Sequence, residues 1–223
     1  MKIVCDRRWL IVSFEQPQMC LSWAICGGGR IKTKTVAWYQ VKTQELEPPV
    51  DSKQFLKSRL MENAMPDAVG MLTSADLNAY ADVQKTHNDL LVRSIATVGM
   101  DNALRVGDRP SKAYQEASCD AIPIGTINLL CALSIPISEE AHLEALSIAT
   151  EARTVAVLEA KLSSSETGLP ATGTGTDCVV ITAPESTNEF TSYAGKHTIL
   201  GHLIGVSVFE AVSLGLQRWK KQH

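Results

Sequence analysis

Two periodicities alternate along the chain. Residues 8–14 and 20–26 are short β-prone runs, separated by Glu15, Gln16, Pro17 and Gln18, and they predict a hairpin or tight connection. Positions 32–41 alternate polar residues with β-branched or aromatic ones, the pattern of a half-exposed strand. The polar, proline-rich stretch 44–49 predicts a loop, and the spacing over 51–64 predicts a helix. Residues 68–72 read as a short strand. They lead into Thr73, Ser74, Ala75 and Asp76, where a hydroxyl three residues before an acid predicts a capping-box helix start. A strand is expected over 91–98 and a polar loop over 111–118.

The second half is more apolar. Residues 126–133 form a continuous apolar run of strand length, bounded by Pro123 and Pro136. Ser138 is placed to cap a helix with Glu139 and Glu140 in its first turn, the end that favours negative charge. This alanine-rich helix is expected to run to about residue 162. A Ser/Thr/Gly loop over 163–176 precedes a strand over 177–182. A long apolar helix is predicted from about 195 to 220, closing with Arg218, Lys220 and Lys221 at its negative end. With no repeat visible, the pattern predicts one α+β domain spanning 1–223, mixed sheets packed with helices.

Composition adds bounds more than identity. Hydrophobic residues make up 45% and charged residues 20%, which excludes a disordered tail and a polytopic membrane protein. The formal charge of −3 and the scattered basic residues argue against a nucleic-acid footprint. Six cysteines form no CxxC pair, so neither a zinc ribbon nor a thioredoxin-like site is expected, and no metal ligands are assigned. Charges begin at Lys2, too early for a signal-peptide apolar region. The run 199–216 contains His202 and Glu210. At roughly +2.5 to +3.5 kcal/mol for a charge at a membrane helix centre, it is expected to be a core helix. A cytoplasmic protein with reduced thiols is the expectation.

Four stretches carry candidate chemistry. Thr172, Gly173, Thr174, Gly175, Thr176 and Asp177 alternate glycines and hydroxyls before an apolar strand, a pattern that can turn backbone amides onto an anion or oxyanion. A flexible connection is the alternative. Gly195, Lys196, His197 and Thr198 stand at the predicted start of the last helix, where the cations oppose the dipole unless they face an anionic or carbonyl ligand. His197 and His202 lie about 140° apart around a helix and cannot share one metal from one face. Thr126 and Asn128 share one face of the apolar strand, where each needs a partner, and a plain strand-start threonine of good β propensity is the alternative. Gly27, Gly28 and Gly29 follow a strand and permit either a plain turn or close approach of a bulky ligand.

In order along the chain, these blocks resemble the adenosylcobinamide amidohydrolase (CbiZ) family. The resemblance is carried by Leu21 to Gly29, Gly70 to Asp76, Arg105 to Asp108, Gly125 to Asn128, Thr172 to Asp177 and Ala194 to Thr198. Trp23 and Cys26 depart from the plainer residues expected beside the glycines, a departure that bears on ligand fit. The resemblance implies hydrolysis of one amide in adenosylcobinamide, giving adenosylcobyric acid and aminopropanol in corrinoid salvage toward cobalamin. A corrinoid-binding protein without chemistry is the alternative. The cobalt belongs to the substrate, so no protein cofactor is implied.

On this reading Thr126 attacks directly, or Asp177 and His197 activate a water, while Lys196 orients the amide arms or stabilises charge. Gly27, Gly28, Gly29, Thr73, Asp76, Asn128, Thr172, Gly173, Thr174, Gly175 and Thr176 are expected to line the substrate site. Partners are a corrinoid, no nucleic acid and no membrane, with homo-oligomerisation left open. A fainter likeness joins residues 125–138 to the nucleophile region of self-processing aminopeptidases. It implies a layered αββα arrangement and scission after Gly125.

Overall fold

The computed structural model describes residues 1–47, 49–110, 125–186 and 190–222. Strands β1 (Lys2–Asp6), β2 (Trp9–Ser22) and β3 (Gly29–Gln40) are followed by α1 (Ser52–Glu62) and β4 (Val69–Thr73). Next come β5 (Ala81–His87), β6 (Leu90–Val98) and the two-residue β7 (Ala103–Leu104). The chain continues through β8 (Ile127–Leu133), α2 (Glu139–Glu159), β9 (Gly173–Thr174), β10 (Cys178–Pro184) and α3 (Ile199–Gln222). The predicted loop at 111–118, with Cys119, Pro123 and His223, lies outside the described residues.

Eight strands form one mixed sheet in the order β4-β3-β2-β10-β8-β6-β5, with β1 added to β2. The sheet is folded on itself, and β2 makes the fold. Its first half, Trp9 to Ser13, pairs with β1 and with the second half of β3. Its second half, Gln18 to Ser22, pairs with the first half of β3 and with β10. The register shifts between Ser13 and Gln18, where Pro17 can donate no ladder hydrogen bond. A bulge bends and twists its strand, so one strand serves two plies. The sequence pattern broke here into two strands with a tight connection. The chain instead runs straight through the irregularity.

Side-chain alternation then sorts the core into three layers. Leu10, Val12, Val36, Trp38, Val69 and Met71 of one ply pack against Ile95, Leu130, Ala132 and Val180 of the other. The opposite face of β8, Ile127, Leu129, Cys131 and Leu133, packs under α2 and α3 with Ala145, Ala149, Ile204 and Val208. On the far side Trp9, Ala37 and Tyr39 take Leu56 and Leu60 of α1. The class is α+β in the order helix, sheet, sheet, helices. Burial pushes the thiols of Cys20, Cys131 and Cys178 up to about 12, so these side chains serve as small apolar groups.

Several boundaries differ from expectation for local reasons. Asp76 accepts from Asn78 N and caps only a three-residue turn, because Ala81 already begins a strand. The hydroxyl of Thr73 accepts from Ala75 N rather than opening a helix. The last helix starts at Ile199, with Thr198 accepting from Gly201 N, so Gly195, Lys196 and His197 stand in the preceding turn. By length and composition α3 could cross a membrane, but its apolar face is taken by β6 and β8 in the core.

Asn128, 1% exposed, sits between the plies and donates its amide to Leu72 O at 2.7 Å. It meets the free edge of β4 one step along from Gly70, whose backbone pairs with Cys26. Asn128→Ala is expected to cost about 1–3 kcal/mol, because a buried carbonyl loses its donor. Urea unfolding checks this, and a loss below about 0.5 kcal/mol would contradict the stapling role.

Candidate active site

Five connections gather at one end of the folded sheet. β8 and β10 are parallel and both begin there, while β6 and β2 end there, with Val98 opposite Ile127 and Ser22 opposite Val180. The turn after β4 joins them through Ala75, which lies beside Gly99. Gly99 in turn donates its amide to Thr126 O at 3.0 Å.

The centre of this cluster is a buried carboxylate. Asp177 Oδ1 accepts from Ile127 N at 2.9 Å and from the Thr174 hydroxyl at 2.5 Å. Its Oδ2 accepts from Thr174 N at 3.0 Å and pairs with Arg153 Nη1 at 3.2 Å. The two side chains are only 6% and 12% exposed, so the pair is shielded from solvent. Thr176 N turns to Thr174 Oγ1 at 3.4 Å. The loop over 172–176 therefore does cradle an anion, and that anion is its own Asp177. Gly173 is required here, since a Cβ would collide with Asp177 Oδ2. Thr172 is spent on a neighbouring turn, accepting from Val106 N at 2.8 Å.

Thr126, 3% exposed, is held beside this carboxylate. Its hydroxyl donates to Thr176 O at 2.9 Å and lies 3.3 Å from Asn128 Oδ1. The Thr176 hydroxyl donates back to Gly125 O at 3.1 Å. Asn102, buried at 7%, wedges between Gly125 and Gly175. A Cβ on Gly125 would lie 2.6 Å from Asn102 Oδ1, and one on Gly175 would lie 3.7 Å from Asn102 Nδ2. Among the described side chains Asn102 Oδ1 and Thr97 Oγ1 are buried without a hydrogen-bond partner. Unpaired polar atoms at a mouth of this kind are candidates for ligand contact.

Other expected site residues fall elsewhere. Trp23, ahead of the glycine run, donates its indole N–H to Asp177 O at 2.6 Å and ties that turn to the cluster. Gly27 and Gly29 adopt φ of +67° and +89°, and a Cβ on Gly28 would strike Ala24 O, so the run is a tight turn. Asp76 is exposed and committed to its short cap. His197 and Lys196 are exposed beside α2. Lys196 pairs with Glu151, and Ala194 N donates to Glu144 Oε2. Glu144 stands nine residues before Arg153, about 13 Å along the helix, whereas Lys196 reaches Glu151, two residues from Arg153; among the described residues no hydrogen bond or ion pair joins His197 or Lys196 to Thr126 or Asp177. Asp177 and His197 thus share no direct hydrogen bond among the described residues.

Arg153 and Asn102 escaped the sequence reading. A lone arginine in an alanine-rich helix looks like surface, and its buried partner is 24 residues away. Asn102 follows a strand and Gly99 in sequence, with no spacing pattern that marks it. Two hollows flank the cluster. One of about 450 Å³ is lined by Arg8, Gln40, Lys42 and Ser74, and one of about 430 Å³ by Arg105, Val106, Asp108 and Leu169.

Asp177→Ala is expected to lower stability by about 3–5 kcal/mol, since it strands a buried guanidinium. Asp177→Ala combined with Arg153→Met should lose clearly less than the two single losses together. Denaturant melts of the four proteins check this, and strict additivity would contradict the coupling.

The model of the family described as adenosylcobinamide amidohydrolase matches residues 1–223. An adenosylcobinamide amidohydrolase from Methanosarcina mazei is 27% identical over 199 residues, covering 85% of this chain and 86% of its own. An uncharacterized protein from Methanocaldococcus jannaschii is 28% identical over 158 residues, 66% of this chain, and the match spans 61% of that protein's length. A crystal structure of a protein from Pyrococcus horikoshii superposes with TM-score 0.46 and 10% identity, over 95% of this chain and 77% of its own. With the family model matched from end to end, the chain belongs to the adenosylcobinamide amidohydrolase family.

Proposed function

We propose that the protein hydrolyses the amide that joins aminopropanol to the corrin side arm within adenosylcobinamide, leaving adenosylcobyric acid, with Thr126 as nucleophile. Family membership supports the reaction class. The observation that carries the assignment of Thr126 is its hydroxyl, held between Asn128 Oδ1 and Thr176 O while Asp177 fixes the next amide. Because Thr126 is nearly buried, what reaches it is a slender side arm, and the macrocycle stays outside. The amide arms of a corrinoid have that shape.

Amide hydrolysis needs a nucleophile, a proton for the leaving amine and donors for the oxyanion. Asn102, packed against Gly125 and Gly175, and the Thr176 hydroxyl, bonded to Gly125 O, are side-chain donors beside this peptide. Asp177 acts by position. Its oxygens are already bonded to two amides, a hydroxyl and a guanidinium, so it holds the strand start and the 173–176 loop in register. The partners of the Thr126 hydroxyl, Thr176 O and Asn128 Oδ1, are acceptors that cannot take up a proton at neutral pH.

Activation then falls to the residue's own nitrogen. In scission after Gly125, Thr126 Oγ attacks the Gly125 carbonyl carbon, the C–N bond breaks and the proton passes to the freed nitrogen. Water then opens the ester, leaving a carboxylate on Gly125 and an amine on Thr126. The Thr176 hydroxyl, 3.1 Å from Gly125 O, stabilises the oxyanion of that step. The resulting amine has a pKa near 8 and is a suitable base for its own hydroxyl. No cofactor enters this scheme, and a water activated by Asp177 with His197 is the less favoured route because the Asp177 oxygens are already occupied.

The purified protein is expected as two fragments, 1–125 and 126–223, by intact-protein mass analysis. It should release aminopropanol from adenosylcobinamide. Thr126→Ala should stay a single chain and lose about 10³-fold or more in turnover. An uncut, fully active wild type would remove the scission step, and near-normal turnover by Thr126→Ala would remove the nucleophile. Tight corrinoid binding with no released aminopropanol would replace the enzyme by a carrier.

A further inference from the structure

Scattered exposed apolar side chains are ordinary on a protein surface, so exposure alone assigns nothing. Trp23 differs in being both exposed and fixed. Nearly half of its surface, 47%, is open to solvent. Its indole N–H is nevertheless bonded to Asp177 O at 2.6 Å, which sets the plane of the ring. The backbone behind it is a tight turn, with Gly28 against Ala24 O and Gly27 against Ala68 O. An exposed indole tethered at its polar edge presents its flat apolar face without further ordering cost.

The tether also fixes where that face lies. Asp177 receives the Trp23 N–H on its backbone oxygen and the Ile127 amide on its carboxylate, so the indole stands one residue's span from the nucleophile's strand. Thr126 is buried and Trp23 is open. A ligand that sends a short arm inward to Thr126 must lay its body outside, across this rim. A propionyl arm of three or four bonds spans about 5 Å, which keeps the body close to the rim.

We propose that Trp23 is the platform on which the corrin macrocycle of the substrate rests while its side arm enters the site. This rests on the reading of the protein as a corrinoid amidohydrolase and adds the residue that seats the ring. Loss of an aromatic platform under a ligand ring weakens binding by about tenfold, on the scale of ring stacking measured by alanine substitution. Because the contact is made equally before and during reaction, it acts on KM and leaves kcat in place.

The test compares wild type, Trp23→Phe and Trp23→Ala. KM and kcat are measured for adenosylcobinamide by aminopropanol release, and Kd for cyanocobinamide, which lacks the adenosyl group, by ultrafiltration with corrin absorbance. Trp23→Ala is expected to raise KM and Kd about tenfold, with kcat within about twofold, and Trp23→Phe to recover only part of the loss, since it keeps a flat ring but has no N–H for Asp177 O. The proposal is overturned if Kd for cyanocobinamide stays at the wild-type value in Trp23→Ala, since the ring would then rest elsewhere. A rise confined to the adenosyl form would assign Trp23 to the adenine instead. Should wild type release no aminopropanol, the enzymatic reading fails alone, and Kd still decides the platform.

Discussion

The Asp177 carboxylate is the constraint on which the mouth of this fold depends. Buried and charged, it would be intolerable alone, and four groups from three separate segments converge to satisfy it. Ile127 brings the start of β8, Thr174 brings the hydroxyl loop, and Arg153 brings the middle of α2. Its own carbonyl takes the Trp23 indole. The position of Thr126, one residue before Ile127, follows from this arrangement, and its hydroxyl bonds to Thr176 O and Asn128 Oδ1 complete it. Satisfying the charge and building the site are one event.

The layered architecture supplies the other half. Because β2 bends at its bulge, the β4 edge returns over β8, and Asn128 reaches Leu72 across the gap. Apolar residues seal the interior between the plies, while Thr73, Thr97 and Asn128 collect at the end. A polar mouth on an apolar sandwich gives a place where hydrogen bonds are strong and water is scarce. Catalytic groups gain most in such surroundings.

Much of this was legible in the chain. Strong periodic runs such as 126–133 and the Ser138-capped helix appear within about three residues of expectation, because local pattern and tertiary demand agree there. The bent β2 did not, since Pro17 and its polar neighbours look like a turn until a partner ply is supplied. β5 was also missed. At the site, the loop of glycines and hydroxyls was recognised as an anion cradle, but the anion was placed outside the protein. Arg153 and Asn102 were invisible because their roles come from contacts with Asp177 and Gly125, not from spacing. His197 and Lys196 look catalytic in the sequence, yet the turn before α3 carries them to the helical side beside Glu144 and Glu151.

The central claim is that one mouth, built around Asp177 and Thr126, takes the reacting arm. A crystal structure of the inactive Thr126→Ala variant with adenosylcobinamide measures this directly, because the anomalous signal of the substrate's cobalt marks the ring without interpretation of the arm. The account predicts the cobalt on the Trp23 side of the mouth, with the scissile amide beside residue 126. Cobalt seated against the His197 turn, with residue 126 empty of substrate, would contradict it.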